Sequence, residues 1–153
     1  MSITTTTHLN FGGDAREALE FYRSVFGGHL TIATYGDFGA PQGAPGADDV
    51  VFGQLEAVDG FRVMAYDIPG RRGRVGTGST RRENGATLTD QPFFVSVRGG
   101  SLDEVQAYWD ALSAEAEIVE ALAAAAWTPG FGMLTDRFGV TWILDVAATE
   151  GDR

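Results

Sequence analysis

The residues able to do chemistry in this 153-residue chain are few, and most fall at alternate positions of two short apolar segments. His8 and Asn10 alternate with Leu9 and Phe11, the two-residue period of a half-buried strand with its polar pair on one face. Arg62, Met64 and Tyr66 alternate in the same way within residues 61–67, and if that face points inward they join His8 and Asn10. An imidazole can serve as base, acid or simple hydrogen-bonding group near neutrality, which makes His8 the best catalytic candidate. The alternative is a histidine satisfied by a backbone carbonyl, or exposed near its strand start; no second activated group accompanies it. His29, the only other histidine, follows a helix end, where the helix dipole is sufficient explanation. Ser79, Thr80 and Ser101 sit in no nucleophile motif, and no glycine-rich stretch has Rossmann or phosphate-loop spacing. A cavity of this make-up, apolar with a few polar anchors, suits a small planar or carboxylate-bearing molecule.

The formal net charge is -10, from 21 acidic residues against 11 arginines and no lysine. An acidic surface repels polyphosphate, so nucleic acid is not an expected partner. Cysteine is absent, which excludes disulfides, a cysteine nucleophile and thiolate metal ligation. The apolar runs are short and interrupted, so no stretch is expected to cross a bilayer. The opening residues lack a basic region followed by an apolar core, so no secretory signal is expected and a cytoplasmic location fits. Arg71, Arg72, Arg74, Arg81 and Arg82 fall together with no acidic residue between them. They read either as a solvated loop making surface ion pairs, or as a flap that attracts an anionic ligand or an acidic partner subunit.

The elements that must position these residues follow from periodicity and turn chemistry. A strand over 3–11 leads through Gly12-Gly13 into a helix, for which Asp14 and Glu17 form a capping-box pattern. Ala18, Leu19, Phe21, Tyr22, Val25 and Phe26 supply its apolar stripe, and Gly27-Gly28 ends it. Strands over 29–35, 50–58 and 61–67 follow, the last two joined at Asp59-Gly60. After a glycine- and arginine-rich connector, a strand over 92–98 leads to a helix capped by Ser101 and Glu104, with Val105, Tyr108, Trp109 and Leu112 on its apolar face. Strands over 118–123, 127–135 and 140–146 complete the series, and the tail from Ala147 is expected to fray. Glycine pair plus cap recurs at 12–17 and 99–104, an offset of 87, and the pairs Phe21-Tyr22 and Tyr108-Trp109 share that offset. The expectation is one domain over 1–153, with module one at about 3–67, a connector at about 68–90 and module two at about 91–147.

The segment from His8 to Tyr22, with Val25-Phe26-Gly27-Gly28, Met64-Ala65-Tyr66-Asp67, Gly130-Phe131-Gly132 and residues 135–146, resembles the vicinal oxygen chelate superfamily of glyoxalase, bleomycin-resistance and extradiol-dioxygenase proteins. The likeness is to its PhnB-like branch, also known as 3-demethylubiquinone methyltransferase-like; that methyl transfer is not expected, because no dinucleotide-like fold is evident to hold a methyl donor. The resemblance implies an α+β fold of two β-α-β-β-β modules, whose incomplete mixed sheets enclose a cavity, and a homodimer. In metal-dependent members, four positions on inward-facing strands bind a divalent metal through His and Glu. Carried over, His8 falls at or within one position of the first. The fourth strand, residues 61–66, has no Glu or His; the fifth offers Phe93, Phe94 and Val95, and the last Trp142 and Ile143. Glu56 contributes only under a different strand register.

One histidine cannot hold a divalent ion against water. The expectation is therefore a small-molecule binding protein of the glyoxalase/bleomycin-resistance type, with no metal and no other cofactor. A divalent metal held at His8 is the alternative, giving a metal-dependent lyase, isomerase or dioxygenase on a small oxygen-chelating substrate. A structural or dimerisation module is the third reading. The expected ligand cavity comprises His8, Asn10, Arg62, Met64, Tyr66, Trp127, Phe131 and Trp142, the last three from the branch's C-terminal aromatic set. The expected partners are a second copy and a small organic ligand, with no membrane.

Overall fold

Alternating β-branched and aromatic residues bury one sheet face only if a helix covers it, and each half of the chain supplies one helix. The computed structural model describes residues 2–76 and 78–148, arranged in two compact units, Met1–Val75 and Gly76–Arg153. The first unit contains β1 (Thr7–Phe11), α1 (Ala15–Phe26), β2 (His29–Thr34), a 3-10 turn (Gly36–Phe38), β3 (Val50–Glu56) and β4 (Arg62–Asp67). Its sheet runs β1-β4-β3-β2, with β1 parallel to β4 and the other pairs antiparallel. The second unit begins with a hairpin, β5 (Thr80–Glu83) and β6 (Ala86–Thr89). Then come β7 (Val95–Gly99), α2 (Leu102–Leu112), β8 (Glu117–Ala125), β9 (Thr128–Thr135) and β10 (Thr141–Val146), in a sheet of order β7-β10-β9-β8. The α+β class and the repeated β-α-β-β-β order are those the sequence indicates.

Each helix turns one stripe to its sheet. In α1 the stripe is Ala15, Ala18, Leu19, Tyr22 and Phe26, buried with Leu9, Phe11, Leu55, Val63 and Ala65. In α2 it is Val105, Trp109 and Leu112. Trp109 fits because Gly132 has no side chain: a Cβ there would lie 2.7 Å from the indole. Of the two aromatic pairs, the second member of each, Tyr22 and Trp109, is the buried one.

The two helices are capped differently, and one sequence expectation is overturned. Ser101 caps α2 as expected: its hydroxyl accepts from the Glu104 amide at 3.2 Å, and Glu104 reaches back to the Gly100 amide at 3.3 Å. Asp14, at the same place before α1, makes no side-chain cap bond. The first turn of α1 is instead held by Asp67, the last residue of β4. Its Oδ1 accepts from the amides of Gly13 (2.9 Å) and Ala15 (3.0 Å), and its Oδ2 accepts from the Val50 amide (2.8 Å). Only 1% exposed, Asp67 ties helix start, β3 start and β4 end together. The Tyr35 hydroxyl donates to its backbone carbonyl at 2.6 Å.

The register explains the asymmetry. Phe11 lies opposite Asp67 at the end of β1, and the Phe11 carbonyl accepts from Ile68. Gly99 lies opposite Val146, and its carbonyl accepts from Ala147. The counterpart of Asp67 is therefore Val146, not Asp145, because the turn before α2 is one residue shorter than that before α1. With an apolar residue at that position, α2 must cap itself.

Other departures are local. β1 starts at Thr7 rather than Ile3. The connector divides in two: residues 68–73 fold back on the first unit, with the Gly73 amide donating to the Gly12 carbonyl at 3.1 Å and Arg72 bonded to Asp49 at 2.7 Å. Residues 80–89 form the hairpin of the second unit, which alternation did not reveal. Any fraying beyond Ala148 lies outside the described residues.

Replacing Asp67 by Ala leaves the buried amides of Ala15 and Val50, and the part-buried amide of Gly13, without an acceptor, and is expected to lower stability by about 3–5 kcal/mol. Asp14→Ala should cost less than about 0.5 kcal/mol, since no cap bond is lost; urea denaturation of both variants checks the contrast. The Tyr35 phenol is raised above its ordinary value of 10.0, chiefly by loss of surrounding water and then by Tyr66, Asp67 and Asp49. Its contribution is thus complete below that ordinary value and disappears as pH rises through the higher folded one. Tyr35→Phe should remove a late step from the phenol absorbance titration of the folded protein.

Candidate functional site

With Leu9, Phe11, Val63, Ala65 and Asp67 turned to α1, the alternate residues of the same strands emerge on the other face. Strand register sets His8 beside Met64 and Asn10 beside Tyr66, with Gln54 opposite Met64 and Glu56 opposite Arg62. Five sequence-indicated residues, His8, Asn10, Arg62, Met64 and Tyr66, are thus brought onto one face of the first unit. His8 Nδ1 lies 3.1 Å from Asn10 Oδ1, a contact in which the ring nitrogen donates to the amide oxygen. That fixes the ring and turns Nε2 away, as an acceptor when the ring is neutral. The Tyr66 ring meets the imidazole edge-on, centroids 5.4 Å apart.

Arg62 carries the positive charge of this face. It forms no ion pair among the described residues although Glu56 lies opposite it, and its Nε is out of contact with water with no hydrogen-bond partner. A guanidinium N–H left so is an unmet donor, and an oxyanion is the group that best satisfies it.

Among the described residues the donor set does not suit the divalent metal that the family resemblance implies. Among the described residues no three His, Asp or Glu side chains are grouped to bind an ion. His29 and Glu56 are cross-strand neighbours, but His8 lies on the opposite edge strand, three strand spacings or about 14 Å from the His29 strand. Metal–donor bonds are about 2.0–2.6 Å long, so these groups cannot share an ion. The counterparts of His8 and Met64 in the second unit are Ser96 and Ile143, by the register that matches Val146 to Asp67. The one-residue shorter turn displaces this match from Phe93, Phe94 and Val95.

On the second unit the equivalent face carries a different chemistry. Arg98 and Asp145 stand where Asn10 and Tyr66 stand in the first, joined by two bonds of 3.0 and 2.9 Å. Asp145 is 3% exposed and Arg98 mostly open to solvent. The carboxylate holds the guanidinium in its charged form, raising its pKa mainly through that hydrogen bond. Asp145 is thus neither a turn acid nor a free surface acid; one residue of register turns it to the opposite side of its sheet from the one Asp67 takes in the other. Phe131 and Met133 share this face, and the β5–β6 hairpin lies on them. The Arg82 guanidinium sits 5.0 Å above the Phe131 ring and donates to Thr87 at 2.9 Å, and the Thr87 hydroxyl donates to Met133 Sδ at 3.6 Å.

The hairpin is lightly held. A cation over a ring contributes about 0.5–2 kcal/mol. Arg82 Nε, however, is buried without a partner, a defect that costs about 1–3 kcal/mol. The two nearly cancel. Of the remaining clustered arginines, Arg72 and Arg81 form ion pairs with Asp49 and Glu83.

The three C-terminal aromatics separate. Phe131 lies under Arg82. Trp127, in the turn before β9, is 57% exposed and meets Phe131 edge-on at 5.3 Å. Trp142 is fully buried on the α2 side of its sheet, two residues from Leu144, which pairs with Gly132. Its indole donates to Asp136 at 2.9 Å, and Asp136 also accepts from the amides of Phe138 and Val140. The Asp136–Trp142 segment thus closes a turn, and the Trp142 side chain lies on the helix side of the sheet rather than with Phe131 and Met133. Sequence reading missed Arg82 and Arg98 as groups of this face; the signal for Arg98 was its alternation with Val97 and Gly99.

Arg98→Ala is expected to lower the urea denaturation midpoint, because it leaves Asp145 buried and unpaired. Arg81→Ala removes only an exposed ion pair and should leave that midpoint nearly unchanged in the same experiment.

A family model described as Glyoxalase/Bleomycin resistance protein/Dioxygenase superfamily matches residues 7–144. The structure of protein PA1353 from Pseudomonas aeruginosa superposes with a TM-score of 0.75 at 27% identity, over 95% of this chain and 98% of that one. A Bacillus cereus structure described as a putative 3-demethylubiquinone-9 3-methyltransferase, PhnB protein, gives 0.70 at 23% identity, over 95% and 100%. Protein YjdN of Escherichia coli (strain K12) is 23% identical over 94% of this chain and 95% of its own length. No helix among the described residues is long and apolar enough to cross a membrane. Two repeated modules, their open sheet faces and a match spanning nearly all of the sequence converge on one assignment: the chain belongs to the glyoxalase/bleomycin resistance protein/dioxygenase superfamily, membership that supports a small-molecule-binding type of protein.

Proposed function

We propose that the protein binds a small carboxylate-bearing organic molecule on the face formed by His8, Asn10, Arg62, Met64 and Tyr66, without a metal ion. The observation that carries this reading is Arg62, a half-buried guanidinium with no ion pair among the described residues, on the same face as the His8–Asn10 pair. A ligand carboxylate takes the guanidinium, and Met64 and the Tyr66 ring supply apolar contact. His8 Nε2 offers an acceptor to a ligand hydroxyl or N–H. The lack of a grouped donor set among the described residues supports a metal-free ligand. With one imidazole and no second activated group, binding is the assigned role.

Calorimetric titration with a panel of small aliphatic carboxylates, against the matching amides, tests the proposal. Saturable carboxylate binding is expected, weakened about tenfold or more by Arg62→Gln and left in place by Arg71→Gln. Binding indifferent to Arg62→Gln removes the anchor. Stoichiometric divalent metal in protein purified without chelator, lost on His8→Ala, overturns the metal-free reading in favour of the metal-dependent one.

A further inference from the structure

The second unit holds a charge and an aromatic surface that the reading above does not use. Arg82 rests on Phe131 with its Nε buried and unmatched, while Nη1 is satisfied by Thr87. Beside it, packed on the edge of the same Phe131 ring, is Trp127, a tryptophan more than half exposed in a turn. Beneath lies Met133, fully buried under the hairpin. An exposed indole next to a cation lacking an anion is a surface missing a partner on two counts, one apolar and one electrostatic.

The hairpin that carries Arg82 contributes little to the core. Its strands bury no side chain fully: Thr80, Arg82 and Thr87 are half-buried and the other five residues are exposed. Its turn, Asn84-Gly85, has positive φ at both residues (52° and 79°), the geometry of a tight two-residue hairpin that joins the two strands as one piece. Gly76 on one flank also has positive φ (83°), and the other flank is anchored by the Asp90 carboxylate on the Ser79 amide at 2.7 Å. β5 lies against β8, and the side-chain contacts that fasten the piece to the sheet are the Arg82–Phe131 stack and the Thr87–Met133 contact.

We propose that Trp127, Phe131 and Arg82 form a second binding site, for a planar aromatic anion, roofed by the β5–β6 hairpin. The ring of the ligand packs on the open face of Trp127 and along Phe131. Its carboxylate or sulfonate takes the unmatched Nε of Arg82, which a small outward pivot of the hairpin brings into reach. Both unmet groups are satisfied by one molecule, and the lightly held hairpin supplies the motion. A neutral aromatic satisfies only the indole and an aliphatic anion only the arginine, so the site selects for the combination.

Benzoate is the probe, with benzyl alcohol and acetate as controls, read by the tryptophan emission of the full chain. Trp109 and Trp142 are buried, so Trp127 carries the response. Benzoate is expected to change emission saturably, with both controls at least about tenfold weaker. Arg82→Gln should weaken benzoate about tenfold or more, and Arg82→Lys should restore part of the loss. Trp127→Phe in the Arg62→Gln background should abolish the optical signal while calorimetry still detects benzoate binding. Trypsin cleavage after Arg81 or Arg82 should change in rate with benzoate in wild type, as the hairpin shifts. Arg62→Gln leaves the emission titration unchanged, which separates this site from the face of the first unit. No saturable emission change, or one that Arg82→Gln does not weaken, overturns the proposal. Should Arg82→Gln not fold, Thr87→Ala frees the Arg82 Nη1 donor while keeping the charge. It is expected to tighten benzoate and speed trypsin cleavage, and an unchanged affinity overturns the proposal equally.

Discussion

The carboxylate of Asp67 is the interaction on which the first unit depends. A helix start leaves backbone amides without partners, and Asp14 at the head of α1 makes no side-chain cap bond to them. Asp67 meets the first helix amide, Ala15, and the Gly13 amide just before the cap with one oxygen, and the start of β3 with the other, at 1% exposure. Three segments distant in sequence therefore share one anion. Because its side chain must point to the helix, the phase of β4 is fixed, and with it the emergence of Arg62, Met64 and Tyr66 on the opposite face. The fold constraint and the candidate site are two consequences of one alternation.

The second unit solves the same problem by other means and obtains a different surface. Val146 replaces the anchoring acid, Ser101 caps the helix, and the shorter turn places Asp145 on the outer face, where it holds Arg98. The face that presents an imidazole, an amide and an unmet arginine in one unit presents an ion pair, two aromatics and a roofing hairpin in the other. Duplicated architecture has not kept duplicated chemistry, which is why superfamily membership defines the scaffold while leaving the ligand to particular side chains.

The charge of -10 gives the arginines a context. Arg72, Arg81, Arg98 and Arg137 each find a carboxylate. Arg62 and Arg82 have a buried Nε that finds none, and both sit on the sheet faces that the helices leave uncovered. In an acidic protein acceptors are plentiful, so an unmet arginine reflects position rather than shortage.

Much was legible from the chain alone. Alternation over His8–Phe11 and Arg62–Asp67 determined which residues share a face, because side-chain direction in a strand follows from a period of two and nothing else. Helix stripes, the Ser101 cap and the doubled order of elements were fixed by local patterns as well. What tertiary structure alone decided were relations between segments that no local pattern encodes. Asp14 has the composition of a cap, yet Asp67 arrives from 52 residues beyond Ala15 and takes the bonds first. Trp142 has the look of a cavity aromatic, yet its place two residues from Leu144 turns it to the core and onto Asp136. The hairpin at 80–89 pairs polar strands that carry little apolar period, and only its seat on Phe131 and Met133 defines it. Direction along a strand is a property of sequence; which partner meets each side chain depends on register between strands, and a one-residue difference in a turn is enough to change it.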